Sequence, residues 1–216
     1  MKNNLAELLD VSINIESLRA AWAEQLVFAG DFEWGKRNYV SLDFFTAYYQ
    51  HLLLDIENVL GEKPKDYIIQ LHDGSIPKYT DELYQDKFYL KVIHKDEYRQ
   101  SCVNIPVYYD KMEPVYFYDD ETIYPMAEQT QPGESRITFA RSNAINAPEV
   151  APTPDQVGQY SENHPTLMNV QNWHNVRVLD LAPPRVFIQM SYDIHFDDFV
   201  QQTGRSVRKG INTRIL

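Results

Sequence analysis

The sequence predicts a mainly β fold with helices at its N-terminal end: an antiparallel barrel or two-sheet jelly roll with the helices packed outside. Three observations lead there. The first sixty residues place apolar side chains at helical spacing. After Pro64 the period shortens, and about eight short runs rich in β-branched and aromatic residues alternate with turn residues. The chain has 216 residues, 44% of them hydrophobic and 13% aromatic. A chain of that length can bury roughly 70% of its unfolded surface in one domain.

The elements follow in order. In "NIESLRAAWAEQLVFAG", Ile15, Leu18, Trp22, Leu26 and Val27 form one helical stripe, with Asn14 as N-cap and Gly30 as stop. In "SLDFFTAYYQHLLLDIENVLG", Phe45, Tyr48, Tyr49, Leu52, Leu53, Ile56 and Leu60 form a second stripe between a Ser41 cap and a Gly61 terminator. The strand candidates are "DYIIQLH", "KFYLKVIH", "SCVNIPVYY", "PVYFYDD", "RITFARS", "PTLMNV", "HNVRVLDL" and "RVFIQMSYD". Two polar, proline-bearing stretches, "YPMAEQTQPGESRI" and "NAINAPEVAPTPDQVGQYSEN", read as loops over one end of the barrel. "FDDFVQQTG" reads as a short closing helix. The organisation expected is a helical segment at 1–62, a β domain at 63–200, and a tail at 201–216 made basic by Arg205, Arg208, Lys209 and Arg214.

Charge narrows the function. At a net charge of −11 the surface repels phosphate backbones, so general nucleic-acid binding is not expected. The single cysteine, Cys102, excludes an intrachain disulfide and any zinc site built from several cysteines of this chain. It fits a reducing compartment or a particle assembled in one. No stretch approaches a membrane span or a signal-peptide core, so no membrane is expected and the location expected is cytoplasmic.

Six histidines are present. His51 falls within the second helix, His195 among Asp193, Asp197 and Asp198, and His72 just before an Asp73-Gly74 turn. His94 differs, because Asp96 follows it two residues on at a strand end. Alternate strand residues share a face with Cα atoms about 6.5 Å apart, within reach of one metal ion. A second histidine from a distant strand would complete two imidazoles and one carboxylate, a set that leaves positions open and suits non-haem Fe(II). His174 is the candidate for that place. The His-x-Asp pattern alone is weak, since "HKDE" also reads as a charged hairpin end. Glu97 is a second carboxylate beside Asp96, but strand alternation sends it to the other face.

Four segments together are more specific. "HKDEYRQSCVNIPV", "PVYFYDD", "HPTLMNVQNWHNVRV" and "PRVFIQMSY" resemble iron- and 2-oxoglutarate-dependent oxygenases of the aspartyl/asparaginyl hydroxylase-like type found in bacteria and phages. The resemblance covers residues 88–193, roughly half of the chain, and implies a double-stranded β-helix, a cupin-like jelly roll. It implies an oxidoreductase, a dioxygenase with Fe(II) and 2-oxoglutarate as cofactors, that hydroxylates a small-molecule or peptide substrate. It makes His94, Asp96 and His174 the metal ligands. Arg185 would hold the distal carboxylate of 2-oxoglutarate by two parallel hydrogen bonds, which a planar guanidinium can form and lysine cannot. Many members carry a serine two residues after that arginine, where this chain has Phe187. Ser191, later on the same strand, and Asn104 are then the further cofactor-binding candidates. Tyr118 and His164 are the candidates for contact with substrate, under loops spanning about 120–162.

Each residue also has a plainer reading. His174 beside Trp173 is then a packed residue, Arg185 a surface partner of Asp180 or Asp193, and Asn104 an edge residue. Under that reading the chain is a catalytically inactive jelly roll. It would act as a phage virion protein or other interaction module, in the host cytoplasm or the virion, with a homo-oligomer or virion assembly as partner. A third reading is a cupin-like small-molecule binder or isomerase, indifferent to 2-oxoglutarate.

Overall fold

The structure is a computed structural model that describes residues 5–25, 37–72, 94–96, 98–109, 114–119, 123–129, 137–142, 155–176, 185–202 and 207–208. The chain opens with β1 (Ala6–Leu9), helix α1 (Ile15–Gln25), β2 (Arg37–Val40) and helix α2 (Ala47–Leu60). Then come β3 (Asp66–His72), β4 (His94–Asp96), β5 (Ser101–Tyr109), β6 (Val115–Tyr118), β7 (Ile123–Gln129) and β8 (Ile137–Ser142). The last part holds β9 (Gln156–Gly158), β10 (Thr166–Met168), β11 (Trp173–Val176), β12 (Arg185–Tyr192), helix α3 (Phe196–Gln202) and β13 (Val207–Arg208).

The strands form two antiparallel sheets, ordered β13-β1-β10-β5-β12-β3-β2 and β7-β8-β4-β11-β6-β9. From β3 to β6, and again from β9 to β12, successive strands alternate between the sheets. Neighbours among these alternating strands are therefore distant in sequence, whereas β2–β3 and β7–β8 pair in sequence order. Among the described residues no strand of one sheet hydrogen-bonds to a strand of the other, so the expected closed barrel is corrected to two open sheets. Side chains join them instead. Leu5, Ala6, Cys102, Met168 and Val170 pack against Val115 and Phe117 of β6. The edges of the larger sheet are short strands, which limits its capacity to pair with another chain.

The helices cover the opposite face of the larger sheet. Leu18, Trp22, Tyr49, Leu53, Ile56, Leu60 and Phe199 join Ile69, Leu71, Val103, Ile105, Val186, Ile188 and Met190 in one buried core. Asn14 caps α1 through its side-chain oxygen, which accepts from Ser17 N at 3.1 Å, as the sequence suggests. Gly61 ends α2 in the left-handed region at φ 73°, where a side chain would be strained. Ser41 starts a single 3-10 turn (Leu42–Phe44) instead of the helix, which begins after Thr46. The Tyr49 hydroxyl donates to Leu18 O at 2.8 Å and ties α2 to α1. The Tyr67 hydroxyl donates to the Glu57 carboxylate and ties β3 to α2.

Several expected boundaries move. Residues 1–62 are not wholly helical, since β1 and β2 join the larger sheet. The stretch "YPMAEQTQPGESRI" is not all loop, because β7 occupies its start, and β9 sits within the second expected loop. The basic tail contributes β13, paired to β1. Prolines mark both register shifts. The β5–β12 pairing slips so that Phe187 faces Pro106, and the β7–β8 pairing slips at Pro125. A proline has no N–H to give a ladder, and a bulge absorbs the missing bond.

Gly158, on β9, lies against Val115 of β6 and Ala6 of β1. A Cβ there would sit 2.8 Å from Val115 Cγ1 and 2.9 Å from Ala6 Cβ. Gly158→Ala is expected to cost about 1–3 kcal/mol in urea unfolding by forcing these walls apart. Alkaline pH should also destabilise the helical layer. Burial raises the phenols of Tyr49 and Tyr192 above their ordinary value of 10.0; for Tyr67 burial comes first, and its bond to Glu57 adds to it. A raised folded pKa means that the unfolded chain loses its proton first. The stabilisation is whole below that ordinary value and is lost as pH rises above it toward the raised values of the folded state. The urea midpoint should therefore fall above pH 10.0, and less steeply in Tyr67→Phe.

Candidate functional site

The site lies on the inner face of the smaller sheet. β4 and β11 are antiparallel neighbours, and their register sets His174 opposite His94. β11 also pairs with β6, where His174 stands opposite Phe117, their rings 6.2 Å apart. Residues directly opposite share a face, and so do residues two apart on one strand. Thus His94, Asp96, His174 and Phe117 occupy one face. Lys95, Trp173 and Tyr118 occupy the other, with Lys95 Nζ 4.9 Å from the Trp173 ring centroid.

His174 is buried, and its Nδ1 lies 2.8 Å from Asn172 O. A carbonyl only accepts, so Nδ1 carries the proton. In the neutral ring Nε2 then holds the lone pair, which is the tautomer a metal or a proton donor requires. Asp96 is 1% exposed, and its backbone N donates to Val170 O at 2.9 Å. Gln171 Nε2 donates to Asp96 O and, at 2.6 Å, to Arg99 O. The turn after β4 is thereby clamped to the segment that leads into β11. The side chains of His94 and Glu97 lie outside the described residues. Among the described residues no three histidine, cysteine or acidic side chains gather as a metal site.

Sequence reasoning missed Arg99. Its Nε donates to Asp96 Oδ2 at 2.6 Å, and its side chain is 4% exposed against 1% for Asp96. Burial by itself lowers the pKa of this guanidinium, but Asp96, Cys102 and Tyr98 outweigh burial and hold it above its ordinary value. Arg99 Nη1 reaches β12 on the larger sheet, donating to Ser191 Oγ at 3.3 Å and Gln189 Oε1 at 3.5 Å. An arginine only donates, so Gln189 must turn its oxygen to Arg99 and its nitrogen away. That nitrogen donates to Asn104 Oδ1 at 2.7 Å, and Asn104 Nδ2 in turn faces Met168 Sδ at 2.6 Å. The Tyr98 hydroxyl meets Ser191 Oγ at 2.9 Å. The only signal in the sequence was Asp-x-x-Arg after His94. Arginine is so rarely buried that the spacing alone reads as a surface pair.

The remaining candidates divide. Ser191 and Asn104 both enter this network. Arg185 stands at the far end of β12, in register with His72 and Tyr109, and its side chain lies outside the described residues. Six residues of strand separate Arg185 from Ser191, about 20 Å, so one five-carbon acid cannot touch both. Phe187 packs on Tyr160, ring centroids 5.3 Å apart. Tyr118 is buried with Trp173, on the face of the smaller sheet opposite to His174. His164 is a strut, its Nδ1 donating to Val11 O at 3.0 Å where Leu9 and Ile13 also bond to Pro165 and Asn163. His51, on α2, and His195 are both exposed. No described helix is long and apolar enough to cross a membrane. Comparison with known proteins gives no match to a family model, to a curated protein or to a solved structure.

The buried pair should reveal itself in stability. Asp96→Ala or Arg99→Ala alone strands a charge between the sheets, at an expected cost of about 3–5 kcal/mol in urea unfolding. Asp96→Leu with Arg99→Met should recover most of that loss, because a matched apolar pair leaves nothing uncompensated.

Proposed function

We propose that this chain is a double-stranded β-helix dioxygenase that uses Fe(II) and 2-oxoglutarate to hydroxylate a small-molecule or peptide substrate. The observation that carries the reading is the register of β4 against β11. It sets His94 and His174 opposite one another, with Asp96 two residues along the same face. The alternation of successive strands between two antiparallel sheets supports the jelly-roll part of the reading. The His174 tautomer supports the ligand part, since a ligating histidine characteristically gives its other ring N–H to a carbonyl or carboxylate.

His94, Asp96 and His174 would hold the iron, and this donor set suits Fe(II) while leaving positions for co-substrate and O2. When bound, the cofactors supply the oxidising chemistry. The chain's own residues do the rest. Asn172 O fixes the His174 ring, and Val170 and Gln171 fix the backbone of Asp96. Phe117, fully buried beside His174, excludes water. Arg185 begins the face of β12 that also carries Phe187, Gln189 and Ser191, and would take the distal carboxylate of 2-oxoglutarate.

One observation favours a second reading, a metal-free jelly-roll interaction protein. Arg99 already neutralises Asp96, so that buried carboxylate is charge-balanced by a side chain of the chain itself. The two readings separate in one experiment. The protein is prepared without oxygen, given Fe(II) and titrated with 2-oxoglutarate while the weak visible charge-transfer band is followed. The dioxygenase reading expects a saturable band, lost in His174→Ala. It also expects Arg185→Ala to need on the order of 100-fold more 2-oxoglutarate, the loss that follows when one side of a charge pair is removed. No band at any concentration overturns it in favour of the second reading.

A further inference from the structure

From the Arg99 contacts we infer that this residue, which no ligand set includes, is a positioning residue for the metal-ligating carboxylate of Asp96; the inference rests on the dioxygenase reading above. A carboxylate with one oxygen bound by a guanidinium has lost its freedom to rotate about its last bond. Arg99 Nε holds Oδ2 of Asp96 at 2.6 Å, from the inner side of the fold. Asp96 would thereby present its carboxylate to a metal in a single orientation. Arg99 can impose this only because it is itself fixed from the other sheet. Ser191 Oγ and Gln189 Oε1 accept from Nη1, Tyr98 braces Ser191, Asn104 braces Gln189, and Gln171 holds the carbonyl of Arg99. The smaller sheet thus supplies the ligand, and the larger sheet supplies its orientation. Ser191 and Asn104 act here as supports of Arg99 and not as contacts of a co-substrate.

A ligating carboxylate that is hydrogen-bonded from behind keeps its geometry while empty, and losing such a partner characteristically weakens a metal site by about 10–100-fold. Lysine retains the charge but not the planar fork, so it cannot hold Oδ2 and Ser191 together in one plane.

The test titrates Co(II) alone, without oxygen, into wild type, Arg99→Gln, Arg99→Lys and Ser191→Ala, reading affinity and the visible d–d spectrum. Circular dichroism and metal-free melting of each variant report the fold. The expected result is a binding loss of about 10–100-fold in Arg99→Gln with an altered spectrum. Arg99→Lys should fall between that variant and wild type, and Ser191→Ala should show a smaller loss while folded like wild type. If Arg99→Gln does not fold, the Lys and Ser191→Ala variants decide by the same measure. Wild-type affinity and spectrum in every folded variant overturn the positioning role and leave the dioxygenase reading standing. No Co(II) bound by wild type overturns the reading and the positioning role with it.

Discussion

Two opposite charges, Asp96 and Arg99, are held between the sheets with almost no contact with water. Each would be costly to bury alone, and their attraction offsets the loss of hydration only when the geometry is close and the remaining donors are satisfied. Much of the interior answers to that condition. Arg99 reaches across from the turn after β4 to β12, and Gln189, Asn104 and Ser191 are polar where a sheet interior is ordinarily apolar. Removing the pair would leave those amides and hydroxyls without a reason to be there. The pair therefore joins the two sheets in a specific relative position, which the apolar contacts of Ala6, Met168, Val115 and Phe117 alone would not dictate.

The division of labour between faces follows from strand alternation. On the larger sheet, Val186, Ile188, Met190 and Tyr192 face the helices and form an apolar core. Phe187, Gln189 and Ser191 face inward. Stability can then reside mainly in the helical layer, through the stripes of α1 and α2, while the inner layer accommodates polar groups. On the smaller sheet the same alternation separates His174 and Asp96 from Lys95, Trp173 and Tyr118. A register slip of one residue on β11 would send His174 to the outside, so the pairing with both β4 and β6 is what keeps the imidazole inside.

The proposed chemistry and the observed packing make compatible demands on Asp96. A ligand must be ionised and oriented before a metal arrives, and a neighbouring guanidinium favours both. The same guanidinium also balances the Asp96 charge when no metal is bound. An acidic chain with a net charge of −11 can thus maintain a buried anion without drawing on solvent ions. The one contact serves the fold in one state and the proposed site in the other.

The sequence alone determined the periodicities. The α2 stripe from Tyr49 to Leu60, its Gly61 stop, the Asn14 cap, and the full extents of β3 and β5 follow from local propensity and spacing, which act over a few residues. That His94 and Asp96 share one short strand was also legible, because strand alternation relates i and i+2. The shortest strands were not: β1, β2, β9 and β13 have two to four residues, too few for a pattern, and pairing partners elsewhere in the chain define them. The sheet order was likewise invisible, since sequence-local rules do not say that β4 lies beside β11 or β5 beside β12. Only the tertiary structure decided that Arg99 is buried, that it belongs to Asp96, and that Ser191 and Asn104 stand behind it instead of beside Arg185. Those facts depend on which residues meet across two sheets, and charge attraction in a water-poor interior selects that meeting after the chain has folded.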